Sequence, residues 1–288
     1  MFVARRLRGA MPDHFSYCEN LVRAGDKDRW LASLFAPANR RPHLHALYAF
    51  NLEVARVREL TREPMAGEIR LQWWREALAG ARPGEAAAHP VAAALLETVA
   101  RYGLSSETLA ALIEARAFDL YDDPMSNPEA FAVYGRRTAS ALIALAAQVL
   151  AAHADVGEAA GPAGIAHAST GLLRGFARYA SRGQLYLPAD VLDRHGVSPS
   201  DIFAGRTGDG LRAALAEMRG FARANFDAFA ARRAALPAAT IPAFLPVALV
   251  PAYLKRMERR DYDPFTTPVE VPQWRRQWIL WRAARRTH

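Results

Sequence analysis

From Leu44 onward the chain places apolar residues at spacings of three and four. Leu47, Phe50, Val54 and Val57 form one stripe, and Leu44, Tyr48, Leu52 and Ala55 form a second beside it. That period belongs to an α-helix, and two adjoining stripes describe a helix enclosed on most of its circumference. Glu53, Arg56, Arg58 and Glu59 then have to face either solvent or a polar cavity. Pro42 suits the first turn of this helix, and Pro64 and Gly67 punctuate a break over residues 61–67. Residues 68–78 resume the pattern, with Trp73 and Trp74 as packing residues and with Glu68 and Arg75 expected at the same polar zone as Arg56.

The helical period recurs over residues 13–36, 90–102, 106–122, 127–150, 165–179 and 209–232, and alternating strand patterns do not occur. The fold class is therefore all-α. Residues 139–150 are rich in Ala and Leu with little charge and predict a buried central helix. The polar positions Tyr134, Thr138, Ser140 and Gln148 either line a cavity or are satisfied within the core. Residues 80–89 and 157–164 are expected as Ala, Gly and Pro connections. Pro237, Pro242, Pro246 and Pro251 exclude an uninterrupted helix across the apolar region they punctuate. A last helix from about Val250 carries Lys255, Arg256, Arg259 and Arg260. Beyond it, Trp274, Trp278 and Trp281 are interleaved with Arg275, Arg276, Arg282, Arg285 and Arg286, a basic aromatic tail that either packs on the domain or lies at a membrane interface. The organisation read from these shifts is a basic tail (1–12), a helical domain (13–265) and a Trp/Arg-rich tail (266–288). No apolar run approaches the ~20 residues of a membrane-spanning helix.

Charge changes the picture. Lys and Arg outnumber Asp and Glu by 37 to 29, a formal charge of +8, which favours anionic partners such as nucleic acid, lipid headgroups or phosphorylated metabolites. Cys18 is the only cysteine, which excludes intrachain disulfides and thiolate metal clusters and favours a reducing compartment. His43 and His45, two residues apart on a helix, do not face each other as metal ligands. No zinc constellation, phosphate-binding Gly loop, nucleophile elbow or dinucleotide fingerprint is present. The densest acidic cluster is Glu114, Asp119, Asp122 and Asp123, with Asp119 and Asp123 one helical turn apart. It reads either as a Mg²⁺ site or as acids paired with Arg116, Arg136 or Arg137. Arg174, Arg178 and Arg182 lie four apart in succession, a cationic column that calls for a nearby anion or carboxylate set.

Three separated segments, LHALYAFNLEVARVRE, RLQWWREAL and LLRGFARYASRGQLYLP, resemble the squalene and phytoene synthase family in the family's order. FAPANRRPHLHALYAFNLEVARVRE, GEIRLQWWREAL and ARAFDLYDDPM are most similar to the branch that contains the mitochondrial complex I assembly factor 6 and its bacterial relatives. The resemblance covers about residues 15–265 and implies an isoprenoid synthase fold, a helical bundle around a central cavity. Its enzymes condense two prenyl diphosphates head to head, using Mg²⁺ held by two Asp-rich motifs on facing helices. This chain departs from that pattern. The first motif is represented by Ala55, Arg56 and Glu59, and the second by Gly175, Arg178 and Tyr179. Tyr48, Arg174, Arg182, Gly183, Tyr186, Leu187 and Pro188 match the flanking family residues, and Asp119 matches an acidic family position in an intermediate helix.

The resemblance and the departures together lead to the expectation of a noncatalytic member. Its Arg-lined apolar cavity would take an anionic lipid or prenyl phosphate through Tyr48, Arg56, Arg174, Arg178, Arg182 and Tyr186, without metal or other cofactor, since guanidinium groups bind phosphate oxygens directly. A role with respiratory complex I assembly components is implied, in a bacterial cytoplasm with peripheral membrane contact. Nucleic acid is disfavoured because the basic tail lacks a recognition fold. The alternative is a Mg²⁺-dependent head-to-head prenyltransferase with a rearranged acidic site drawn from Glu53, Glu59, Asp119, Asp122 and Asp123, with Glu59, Asp119 and Asp123 as its catalytic carboxylates. A third reading pairs every arginine with Glu53, Glu59 or Glu68 and leaves only a helical scaffold.

Overall fold

The computed structural model describes residues 13–61, 63–152 and 154–285, so the basic segment 1–12 lies outside the described residues. Among them the chain is helical, with no strand. The first helices are α1 (His14–Gly25), α2 (Lys27–Ser33), α3 (Arg41–Ala55), α4 (Val57–Leu60), α5 (Pro64–Leu78), α6 (Pro83–Ala88), α7 (Pro90–Tyr102) and α8 (Ser106–Ala117). They are followed by α9 (Pro128–Gly135), a π-helical turn (Arg136–Ser140), α10 (Ala141–Leu150), α11 (Gly157–Arg174) and α12 (Phe176–Ala180). The rest comprises α13 (Ala189–Arg194), α14 (Pro199–Phe203), α15 (Asp209–Arg232), α16 (Ile241–Phe244), α17 (Val250–Met257) and α18 (Gln273–Arg285).

The two apolar stripes of α3 do what their spacing requires. Residues 43–52 and Val54 are all buried, because α1, α7 and α10 pack around the helix. Its two histidines are satisfied separately, His43 through Thr98 Oγ1 at 2.9 Å and His45 through Ser33 Oγ at 2.8 Å. The Ala and Leu positions of α10 bury seven of its ten residues between α3 and α11. α11 in turn lies along α15.

Several expectations need correction. Residues 157–164 are the first turns of α11, with Pro162 inside the helix at its sixth residue, where it gives up one i→i−4 hydrogen bond. Small residues are needed there for another reason. Ser140 Oγ donates to the Gly161 carbonyl at 2.9 Å, and a methyl group on Gly164 would run into the backbone nitrogen and hydroxyl of Ser140. Residues 83–88, expected as loop, form α6, with Pro83 at its start and Arg82 pairing with Glu76 and Glu85. The acidic helix end is also different. α8 stops at Ala117, a 3₁₀ turn (Phe118–Leu120) follows, and Tyr121 is extended at φ −109°, ψ 158°. Asp119 therefore turns inward while Asp123 is exposed, and the two do not share a helical face. Finally, residues Ala238–Met257 are long and apolar enough, at mean hydropathy 1.4, to pass a membrane-span criterion by length and composition. The prolines divide that stretch into short 3₁₀ and α segments, and 67% of its most apolar window is buried inside the fold.

The close approach of α11 to the π-helical turn separates two glycine substitutions by sign. Gly164→Ala is expected to lower stability by about 2–3 kcal/mol through overpacking. Gly171→Ala, further along the same helix, meets nothing within 4 Å and is expected to raise stability by about 0.5–1 kcal/mol. Denaturant titration of the two variants checks both, and equal midpoints would show that the contact is not tight.

Candidate functional site

α3 and α11 both break near the same level of the bundle. Arg56 (φ −101°, ψ 3°) interrupts the first before α4, and Gly175 (φ −87°, ψ 3°) interrupts the second before α12. The short helices beyond these breaks carry Glu59 and Arg178. Glu59 accepts an ion pair from Arg182 Nη1 at 2.8 Å and lies 3.4 Å from Arg178 Nη1. The carboxylate expected in the first motif is thus held by two guanidinium groups from the second.

Asp119 anchors the other side of the site. The Tyr134 and Tyr186 hydroxyls donate to its Oδ1 at 2.8 and 2.9 Å, Arg116 Nη1 donates to Oδ2 at 3.2 Å, and Gln184 Nε2 donates to its backbone carbonyl at 3.1 Å. Arg116 also donates to the Tyr134 oxygen at 2.6 Å. Burial by itself would lower the Arg116 pKa, but Tyr134 and Asp119 outweigh it and hold the guanidinium charged. Burial, followed by Asp119, pushes the Tyr186 hydroxyl well up, so it stays a donor. Arg58 closes this end by donating to the Leu120 carbonyl at 3.0 Å and to Asp122 Oδ1 at 2.8 Å.

Between these clusters lies a cavity of about 260 Å³, lined by Arg29, Arg56, Arg58, Glu59, Arg116, Asp119, Tyr134, Thr138, His167, Arg178 and Tyr186 among others. Its lining is mixed, with the charged and hydroxyl groups sharing the walls with Leu52, Ala55, Ala139, Ala168 and Leu172. Deeper in, towards Phe131, Leu172, Phe176, Leu187 and Met218, only about 20 Å³ remains open. Arg29 is committed to Asp26, with an ion pair of 2.5 Å, and its guanidinium lies 5.6 Å from the Tyr48 ring centroid. Burial pushes His167 down, and Arg29 adds to the shift, so the imidazole is neutral.

Among the expected ligand-binding residues, Arg56, Arg178 and Tyr186 line the cavity and Arg182 joins it through Glu59. Tyr48 is buried beneath Arg29, outside the lining. Arg174 serves a separate cluster, stacking on Tyr253 at 3.7 Å and lying 3.6 Å from Asp28. Of the three candidate carboxylates, Glu59 and Asp119 line the cavity and Asp123 does not. Glu68 and Arg75 also leave the zone where they were expected, because their helix face turns outward. Glu68 accepts from Tyr121 and Arg75 donates to Gln72. Tyr179, a position of the second motif, and Arg29, from a charged patch that the sequence offers as either solvated or lining a cavity mouth, also lie in the lining, whereas the sequence reading missed His167 and Gln184.

A second cavity, of about 440 Å³, lies on the other face of the α3–α4 junction and shares Leu52 and Arg56 with the first. Leu21, Val57, Leu60, Trp73 and Trp74 give it apolar walls, and Glu53, Arg70 and His89 give it charge. Arg56 is half-buried between the two spaces, and its guanidinium has no hydrogen-bond or ion-pair partner among the described residues. His89 Nδ1 accepts from the Ala92 N–H, which leaves Nε2 to carry the proton towards Glu53 Oε2 at 3.4 Å. Burial lifts the Glu53 carboxyl to about 7, opposed by Arg70.

The donor chemistry does not fit a Mg²⁺ cluster. Among the described residues no three His, Cys, Asp or Glu side chains come together as a metal site, and the two cavity carboxylates are engaged by cationic or hydroxyl donors, Glu59 through Oε1 and Asp119 through both oxygens.

An all-α bundle with two interrupted helices presenting charged residues to a central cavity is the isoprenoid synthase fold. The family profile described as squalene/phytoene synthase matches residues 22–282, and the chain belongs to that family. It is similar to complex I assembly factor 6 of Rattus norvegicus, with 32% identity over 88% of this chain and 77% of that protein, and to the Homo sapiens counterpart, with 30% identity over 88% and 76%. It is 26% identical to 15-cis-phytoene synthase of Synechococcus elongatus over 94% of this chain and 92% of that one. Among solved structures, a dehydrosqualene synthase in complex with ligand superposes with a TM-score of 0.80 at 17% identity, covering 94% and 95% of the two chains. Squalene synthase HpnC from Alicyclobacillus acidocaldarius superposes with a TM-score of 0.74 at 27% identity, covering 88% and 95%.

Two stability experiments test this arrangement. Asp119→Ala leaves Arg116 buried without its carboxylate and is expected to cost about 3–5 kcal/mol. Tyr186→Phe removes one of several donors and is expected to cost about 1 kcal/mol. Similar losses for the two variants in urea would show that Asp119 is not the hub. For Glu53, the folded-state pKa near 7 lies above the ordinary 4.5, so burial costs nothing below that ordinary value and destabilises the fold as pH rises through 7. Glu53→Gln is expected to gain about 2 kcal/mol relative to the parent between about pH 5 and about pH 8. A pH-independent difference between their melting curves would refute the assignment.

Proposed function

We propose that this chain is a noncatalytic member of its family that binds an anionic lipid or prenyl phosphate without metal and acts with respiratory complex I assembly components. The observation that carries the binding reading is Arg56, a half-buried guanidinium that has no partner among the described residues and is shared by a polar cavity and an apolar one. A phosphate bound at Arg56, with Arg58 and Arg178 bordering the same polar space, would leave its hydrocarbon chain on the Leu21, Leu60 and Trp73 side, because the deep end of the central cavity is nearly filled. The absence of catalysis is inferred from the same groups. Ionising a diphosphate requires cations that neutralise the leaving group, and the carboxylates that would hold them are engaged by Arg178, Arg182, Arg116, Tyr134 and Tyr186. The assembly role rests on the likeness to complex I assembly factor 6. The buried free thiol of Cys18 suits the reducing bacterial cytoplasm that goes with this reading.

The test uses the purified full chain and farnesyl phosphate in metal-free buffer, followed by isothermal titration. Saturable binding is expected, weakened about tenfold or more by Arg56→Ala with Arg178→Ala. Binding that survives both substitutions would remove the cavity reading. Pyrophosphate release beyond stoichiometry from farnesyl or geranylgeranyl diphosphate with Mg²⁺, together with a new condensed hydrocarbon, would replace it with the prenyltransferase alternative.

A further inference from the structure

α18 has two opposed faces. Inward, Leu280 and Ala283 are buried, and the Arg276 side chain reaches Asp28 Oδ1 with Nε 3.1 Å away. α18 thereby packs on the 245–249 turn and on α2. Outward, Trp274, Trp278 and Trp281 recur at four and then three residues, so they share one stripe. They are 70%, 53% and 38% exposed. Trp278 stacks on Trp281 with centroids 5.1 Å apart, and Arg285 lies 4.2 Å from the Trp281 ring. Exposed Arg275 and Arg282 flank the stripe, and no acidic residue occurs between Gln273 and Arg285. Trp278 and Arg282 also border a cavity of about 530 Å³ walled by Phe226, Phe229 and Phe244, which extends the apolar surface beyond the three rings.

Because the inward face of α18 is already satisfied, the exposed surface of the three indoles is not needed to hold the helix in place, and a patch of this kind marks an interaction surface. Indoles are favoured at the depth of lipid headgroups, where the ring sits against hydrocarbon and the N–H stays hydrated. Guanidinium groups flanking such a stripe, with no carboxylate to oppose them, complement lipid phosphates. The geometry points to α18 as a docking face for an anionic phospholipid surface, which it meets edge-on with the Trp stripe while the domain holds its other side. This surface is separate from the Arg56 cavity and does not depend on its ligand.

The experiment is cosedimentation of the full chain with vesicles of phosphatidylcholine alone and of phosphatidylcholine mixed with phosphatidylglycerol. Partition onto the mixed vesicles is expected to be about tenfold stronger or more, and to weaken with added salt. Trp274→Ala with Trp278→Ala, and separately Arg275→Glu with Arg282→Glu, should each reduce it about tenfold or more while leaving the melting temperature unchanged, because these side chains are exposed. Arg56→Ala with Arg178→Ala should leave it intact. Failure to bind the mixed vesicles, or binding by either α18 variant equal to that of the parent, would overturn the inference. So would a single-stranded oligonucleotide that displaces the protein from mixed vesicles and needs the same side chains, since the surface would then serve nucleic acid.

Discussion

A carboxylate removed from water must be matched by donors from whatever segments surround it, and Asp119 imposes that condition on several segments at once. Arg116 comes from α8, Tyr134 from α9, and Tyr186 with Gln184 from the stretch leading to α13. Satisfying the charge fixes the positions of Tyr134 and Tyr186, and Tyr179 then packs against Tyr186 with centroids 4.8 Å apart. These rings cap the apolar space beneath. The narrowness of the deep end therefore follows from the same hydrogen bonds that satisfy Asp119, so the cavity volume and the fate of that carboxylate are one physical fact.

The Glu59 ion pairs play a different role. Their side chains are 26% exposed for Glu59, 55% for Arg178 and 43% for Arg182, so solvent screens them and their contribution to stability is modest. What they determine is the charge balance across the two helix breaks. Where the family resemblance implies acids on both sides joined by Mg²⁺, this chain has an acid on one side and guanidinium groups on the other. The cavity rim becomes self-neutralising at Glu59 and leaves Arg56 without a counterion among the described residues. On the proposed reading that imbalance is the recognition element, because a half-buried cation attracts a phosphate more strongly than a solvated one does.

Much of the fold was legible because helix periodicity reports burial. The expected span 90–102 and the expected span 209–232 coincide with α7 and α15, and the stripes of α3 are the surfaces that α1, α7 and α10 cover. The misread segments had composition without period. In α6 and the start of α11, Gly, Ala and Pro read as linkers, although Pro83 opens α6 as its first residue, α11 holds Pro162 in its interior, and small residues are what the contact with Ser140 demands. The site was legible only where side chains departed from their surroundings. Arg56, Arg178 and Glu59 stood out as charges on otherwise apolar helices. Asp119 and Asp123 were paired in error, because nothing local announced the 3₁₀ turn that separates them. The Arg116 pairing with Asp119 was one of the alternatives the sequence offered, whereas Tyr134, Tyr186 and Gln184 reach Asp119 from positions distant in sequence, which a periodic reading cannot bring together.

The retention of the fold beside so altered a site follows from where its stability lies. The stripes that bury α3 use Leu44, Leu47, Phe50 and Val54, and none of them depends on what occupies positions 55, 56 or 59. The same holds for α11, whose buried face is built from Ala159, Ala163, Ala166, Ser169 and Leu173, while Gly175 and Arg178 lie past its end. Motif positions sit at helix breaks facing a cavity, so exchanging acid for base there changes electrostatics without opening the core. Asp28 ties the remaining piece to this frame. It draws Arg174 from α11, Arg276 from α18 and the Tyr253 hydroxyl, at 2.7 Å, from α17, so the helix bearing the exposed indoles is anchored to the helices that shape the cavity. A surface held that rigidly can present its Trp stripe without first paying for the ordering of a disordered tail.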